Sequence, residues 1–161
     1  GTFLWETILE AGKPENIRPG SPNIIDRVEA GLLSYGNEMT VENTPLECNM
    51  DKFVDINKEV DYIGKKVLLR QIKYGVKRRI RGAIYEGPEL PTISTPLQVF
   101  DTDKRTIVGS LTSGAFSPHF KSNIGLGMIG YGCWDNNKEI FVKISDQEFR
   151  KGLIKDLPLI Q

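Results

Sequence analysis

The chain has 161 residues, 39% hydrophobic and 26% charged, which suits one ordinary domain or two small ones and excludes a disordered tract. Its 21 basic residues equal its 21 acidic ones, so the whole chain offers no electrostatic case for nucleic acid or an anionic membrane, and no apolar run approaches the ~20 residues that span a bilayer. A single histidine (His119) and two widely separated cysteines, Cys48 and Cys133, leave zinc sites and Cys–His or Ser–His catalysis almost without raw material, so no metal site is expected.

The chain opens on Gly1 rather than Met, with a helical pattern already under way, and is expected to be a fragment of a longer protein. Residues 3–11 place Leu4, Ile8 and Ala11 at helical spacing, and Gly12 stops the helix before a proline-bearing loop. Ser21 and Pro22 predict the start of a second helix, with Ile25, Val28 and Leu32 as its apolar stripe. The stretch 35–53 has no clean period and reads as a structured loop. Asp61 predicts the cap of a third helix, with Ile63, Val67 and Tyr74 along one face and Gly75 at its end.

After Gly75 the period changes to two. In "VKRRIRGAIY", Val76, Ile80 and Ile84 alternate with Lys77, Arg79, Arg81 and Ala83, which predicts a strand with one buried face. Further strands are predicted in "PLQVFD", "TIVGSLTSGAFS", "NIGLGMIGY", "EIFVKI" and "FRKGLIKDLPL". The pattern predicts an α+β chain: helices and loops over 1–75, then a small antiparallel barrel or sandwich over 76–161.

Several groups invite a chemical reading. On a helix, Arg27 shares a face with Asn23 and Gly31, and a glycine there costs ~1 kcal/mol relative to alanine. Something is therefore expected to approach closely, either another part of the chain or a ligand, and arginine suits a bidentate carboxylate contact. Asp26 and Glu29 are expected as surface charges. "GLGMIG" at 125–130 lies in strand context, so its glycines are read as relief of crowding rather than a phosphate loop. His119 is expected exposed, and Tyr35 and Trp134 at the core or its rim. Eight basic residues and no acid lie between Lys65 and Arg81. That run is either an anion site, for a polyanionic cofactor tail or a partner's acidic face, or a solvated surface. It lacks the aromatic platform of a nucleic-acid binder.

Taken as ordered blocks, the chain resembles the folate-dependent aminomethyltransferase family, which includes the T-protein of the glycine cleavage system. "DRVEAGLLSYGNEM" is similar to the family's R-x-E-A-G-x-x-x-Y-G-x-(D/E) segment and "ENTPLEC" to its TTP-(L/V)-E segment. "DYIGKKVLLRQ" resembles F-I-G-(R/K)-x-x-L, and "GVKRRIRGAIYEG" resembles G-V-x-R-R-L-V-G. "VGSLTSGAFSPHFKSNIGLGMI" resembles the family's long barrel hairpin. The blocks run in family order across essentially the whole chain. "PGSPNIIDRVEAGLLSYGN" and "PLECNMDKF" look closer to the dimethylsulfoniopropionate demethylase branch than to an ordinary T-protein.

The resemblance implies a three-domain cloverleaf around a folate channel, with residues 1–75 from the folate-binding first domain and a connecting helix, and 76–161 as the C-terminal β-barrel. It implies a cytoplasmic enzyme moving an aminomethyl or methyl group from a small-molecule donor to tetrahydrofolate, with no nucleic acid or membrane partner. Arg27 falls on the family's folate-contacting arginine and Tyr35 on a pocket wall. The family's catalytic aspartate and its G-Y-T-G-E glutamate belong upstream of any segment present here. No catalytic residue is therefore expected in this chain, which alone would be inactive and would need the N-terminal part of the same protein. The alternative is a non-catalytic folate-binding or protein-interaction module on the same fold.

Overall fold

The computed structural model describes residues 1–20 and 23–160. Helices α1 (Thr2–Gly12), α2 (Ile24–Glu29) and α3 (Lys65–Tyr74) come first, joined by loops with short 3-10 turns at Lys13–Glu15 and Asp51–Phe53. Strands β1 (Arg78–Tyr85), β2 (Leu97–Phe100), β3 (Ile107–Ser117), β4 (Ser122–Gly130), β5 (Glu139–Lys143) and β6 (Phe149–Lys155) follow. They close into an antiparallel barrel in the order β1-β4-β3-β2-β5-β6. Closure pairs the strands on both sides, which removes the exposed sheet edge of an open six-strand layer. All six predicted strands are present.

The barrel interior packs Ala83, Tyr85, Val99, Leu111, Ile129, Ile140, Val142 and Ile154. A second cluster lies outside the wall, where Val28 of α2 meets Ile124 and Leu126 of β4, with Ile24, Leu33, Ile84, Leu157 and Leu159 around it. Each side chain fully buried there stabilises the fold by roughly 1.5–3 kcal/mol. The cluster fixes α2 to the barrel.

This second cluster corrects the strand reading. Residues 80, 82 and 84 of β1 do share a face, but it is the outer face, covered by chain segments. Ala83, assigned to the polar side by alternation, fills the interior together with Tyr85. Both faces of β1 are buried here, so a period of two cannot tell inside from outside. The glycines of β4 act as read. Gly127 faces the interior, and any Cβ on it would run into the Ser110 carbonyl of β3.

The helix expectations need four corrections. Ser21 and Pro22 lie outside the described residues. The helix begins at Ile24 and is capped by Asn23, whose side chain accepts a hydrogen bond of 2.8 Å from the Asp26 N–H. It ends at Glu29, so Leu32 is exposed rather than on the stripe, and Leu33 packs instead. The cap position of α3 is Gly64, with φ +91, while Asp61 binds only its neighbour's N–H at 3.0 Å. All three residues of the stripe predicted for α3, Ile63, Val67 and Tyr74, are exposed, and the helix buries Leu68 instead. The loop over 35–53 is structured as expected and buries Glu38, Leu46, Glu47 and Cys48.

Candidate functional site

Arg27 lies in the last turn of α2 and points away from the apolar cluster toward the loop that follows. Its Nη1 donates to the Leu32 carbonyl at 2.8 Å and to Glu38 Oε2 at 2.9 Å. Its Nη2 donates to Glu38 Oε1 at 3.3 Å and to Ser113 Oγ on β3. This is the forked, two-oxygen contact for which a planar guanidinium is suited.

Glu38 is the hub. Its side chain has 0% exposure, against 23% for Arg27. It also accepts from the Ser34 N–H at 2.7 Å and Asn37 Nδ2 at 3.1 Å, and Ser113 Oγ donates to it. Burial by itself would push the Glu38 carboxyl up. The hydrogen bonds from Arg27, Ser113 and the Ser34 N–H, with the Arg27 charge, outweigh that and hold it below the ordinary carboxylate value. Asn37 Nδ2 reaches Ser113 as well, at 2.6 Å. The Ser113 hydroxyl thus spends its one proton on Glu38 and both lone pairs on Arg27 and Asn37.

A bulge in β3 makes this meeting possible. Leu111 pairs with Gly127 and faces inward, but Ser113 pairs with Leu126, so Thr112 is the extra residue. Two positions apart in a regular strand, Leu111 and Ser113 would share a face. The insertion turns Ser113 outward toward α2. From there Ser113 and Ser117 share the outer face, and each binds a carboxylate. Ser117 Oγ donates to Glu29, and the Glu29 carbonyl accepts the Leu159 N–H at 2.8 Å. Glu29 is therefore buried, which corrects the expectation of a surface pair; its companion Asp26 is exposed.

Gly31 is past the helix, not inside it. It sits at φ +67, and a Cβ there would lie 3.0 Å from Cβ of Leu157. The close approach expected at this position comes from the chain's own C-terminal segment. Tyr35 sits on the outside of the loop folded around Glu38, 68% exposed. The structure thus places Arg27 and Tyr35 on one structural unit, Arg27 held from within and Tyr35 presented outward. His119 is exposed, as expected. Trp134 packs at the edge of the interior cluster, with Arg79 5.9 Å from its ring centre. Glu38 and Ser113 escaped the sequence reading, and Glu29 was read only as a surface charge. The available signals were the acid closing "YGNE" and two serines four apart in a strand.

Residues 1–58 match the family model of the GCVT N-terminal domain, and residues 78–158 match that of the glycine cleavage T-protein C-terminal barrel domain. The chain belongs to the glycine cleavage T-protein family. It is 43% identical over 134 residues to dimethylsulfoniopropionate demethylase DmdA of Ruegeria pomeroyi, a match covering 83% of this chain and 35% of the relative. It is 40% identical over 144 residues to an aminomethyltransferase of Caldanaerobacter subterraneus subsp. tengcongensis, covering 87% of this chain and 37% of the relative. The chain thus spans little more than a third of the length of these relatives. The fold matches the glycine cleavage system aminomethyltransferase T of Bartonella henselae with a TM-score of 0.72 at 24% identity, over 83% of this chain and 37% of that one. Among the described residues no helix is long and apolar enough to cross a membrane, and no group of three or more His, Cys, Asp or Glu could hold a metal ion.

Proposed function

We propose that the chain is the C-terminal portion of a tetrahydrofolate-dependent one-carbon transferase, moving an aminomethyl or methyl group from a small-molecule donor. The observation that carries this reading is its identity to a demethylase and to aminomethyltransferases over more than four-fifths of its length. Residues 1–75 would complete the folate-binding domain, and 76–161 would close one side of its channel. The change from helix to strand after Gly75 supports that division. The exposed Phe3, Leu4 and Trp5 of α1, with Ile63, Val67 and Ile72, give the N-terminal part of the same protein an apolar surface to cover. The free, buried thiols of Cys48 and Cys133 suit a reducing cytoplasm.

Tetrahydrofolate would supply the nitrogen that accepts the carbon unit. The residues present fit a binding role rather than a catalytic one. Arg27 is held on one side by Glu38 and Ser113 and keeps 23% of its side chain exposed. Leu32, Glu38 and Ser113 take its four Nη protons, so it presents the single Nε–H rather than a free positive charge, which suits one oxygen or nitrogen acceptor on the folate. Tyr35 adds an exposed ring on the same loop. These groups position; the proton-handling groups would come from the rest of the protein.

The test is to incubate the full-length protein with tetrahydrofolate and either dimethylsulfoniopropionate or an aminomethyl-lipoyl carrier, and to identify the folate product. A methylated or methylene folate supports the reading and names the donor. No folate product from either donor, with no tetrahydrofolate binding, overturns it. Arg27→Lys should weaken tetrahydrofolate binding; unchanged affinity and turnover would remove Arg27 from the site. A module that binds folate without turning it over would bind in the same assay and give no product with either donor.

A further inference from the structure

By its place in the sequence α2 belongs with the helices, but by packing it belongs to the barrel. Among the described residues, neither α1 nor α3 supplies a side chain to the two packed clusters, whereas α2 gives Val28 and Ile24 to the outer one. The loop that follows α2 is tied to the same wall. The Ile80 N–H of β1 donates to the Glu47 carbonyl at 2.8 Å, and Asn49 Nδ2 donates to the Ile80 carbonyl at 2.8 Å. Arg27 therefore rides on the outside of the barrel.

Four hydrogen bonds hold its guanidinium, and they differ in origin. Leu32 and Glu38 follow Arg27 by 5 and 11 positions and belong to the segment that carries it. They hold the guanidinium relative to its own loop. Ser113 lies 86 positions on, in β3, and is the one partner that holds it relative to the barrel. Ser113 is buried, and its proton and both lone pairs are already spent on Glu38, Arg27 and Asn37. It has nothing left to offer a ligand. What it does is pin Nη2, which sets the plane of the guanidinium and with it the direction of the Nε–H. The Thr112 bulge makes this possible, because without the inserted residue Ser113 would face inward beside Leu111.

We infer that Ser113 is a positioning residue for tetrahydrofolate: acting through Arg27, it fixes the direction of the Nε–H against the barrel wall. The inference rests on the folate reading of Arg27. Without the Ser113 hydroxyl, one Nη2 proton loses its acceptor and the guanidinium is free to turn. The Nε–H must then be aimed anew each time a folate binds, a loss of pre-organisation that weakens binding and leaves the chemical step alone. Ser117 supplies the internal comparison. It shares the outer face of β3, donates to the buried Glu29 and accepts the Phe120 N–H at 3.1 Å, but makes no bond to Arg27.

The test uses the full-length protein, calorimetric titration with tetrahydrofolate, and steady-state turnover with whichever of the two donors the parent uses. Ser113→Ala and Ser117→Ala each remove a hydrogen bond to a buried carboxylate, so both should lower the urea midpoint. Only Ser113→Ala should weaken tetrahydrofolate binding, roughly tenfold, with KM raised by the same factor and kcat unchanged. Ser113→Thr and Ser113→Val have one shape and differ in the hydroxyl. The threonine variant should bind like the parent and the valine variant like Ser113→Ala, which covers an alanine variant that fails to fold. Parent-like affinity in Ser113→Ala, with Arg27→Lys weakened, overturns the inference and leaves the folate reading intact. So does an equal loss in Ser117→Ala, equal affinity in the threonine and valine variants, or a fall in kcat at unchanged KM. Absence of tetrahydrofolate binding in the parent, or unchanged binding in Arg27→Lys, overturns the folate reading, and this inference with it.

Discussion

Arg27 and Glu38 meet in a forked ion pair, at 2.9 and 3.3 Å, with the carboxylate wholly buried and Ser113 of the barrel bonded to both. The pair ties three elements together: helix α2, the loop around Glu38, and strand β3. Because Glu38 is buried, removing either partner leaves a polar group or charge without compensation, which costs more than the intact pair contributes. Glu38→Ala and Arg27→Ala should each lower unfolding free energy by roughly 2–4 kcal/mol in urea denaturation. The double variant should lose less than the sum. Additive losses would show that the two residues are not coupled.

Glu38 also sets a pH dependence. Its carboxyl is held below the ordinary value, so the folded state binds fewer protons at this group than the unfolded state. The stabilisation is fully present above the ordinary value of about 4.3 and is lost as pH falls through the lower folded value. Unfolding free energies of the parent and Glu38→Gln should differ most at pH 6–8 and converge on acidification below about pH 4. A gap that stays constant from pH 7 to pH 3 would rule out this origin.

Gly31 carries two separable demands, a left-handed backbone and room for Leu157. Gly31→Ala should cost about 1–2 kcal/mol from backbone strain, plus a steric increment. Adding Leu157→Ala should recover only part of the increment, because the nearest atom, the Leu157 Cβ at 3.0 Å, remains while the side-chain atoms at 3.3 and 3.5 Å are removed. Gly36→Ala is the comparison, since Gly36 has φ +86 with nothing within 4 Å of the added atom. If Gly31→Ala and Gly36→Ala cost the same, Leu157 exerts no steric pressure.

Both thiols are shielded. Burial pushes Cys48 up, with Glu47 adding to the shift, and burial pushes Cys133 up, with Asp101 adding. A thiol whose pKa rises on folding stabilises the fold below the ordinary value of about 8.5, and that contribution is lost as pH climbs through the raised value. At pH 7.5 the folded chain should react with iodoacetamide at least about tenfold more slowly than the urea-unfolded chain. Equal rates would mean the thiols are not protected by the fold.

The predicted helices and strands are present in the structure, although the caps and ends of α2 and α3 differ from the local signals. Gly75 ends α3, β2, β3, β5 and β6 fall within the predicted segments, and β4 starts one residue before its segment. Misreadings came where a second layer intervened. Ile84 and Ala83 were assigned opposite to their actual sides because α2 and the C-terminal segment bury the outer wall of β1. Glu29 looked like a surface charge because its partner, Ser117, lies in a distant strand.

Hydrophobic period and turn chemistry by themselves determined that helices precede a small antiparallel barrel or sandwich, since these signals act over a few residues; the closure into a barrel is tertiary. The ordered motifs marked Arg27 and the family. What Arg27 touches was a tertiary matter. One extra residue, Thr112, turns the Ser113 side chain through the wall of the barrel, and no local pattern announces a bulge. Burial then decided the chemistry. Glu38 stays ionised inside the protein because donors from α2, its own loop and β3 converge on two oxygens, and only the closed fold brings those donors together.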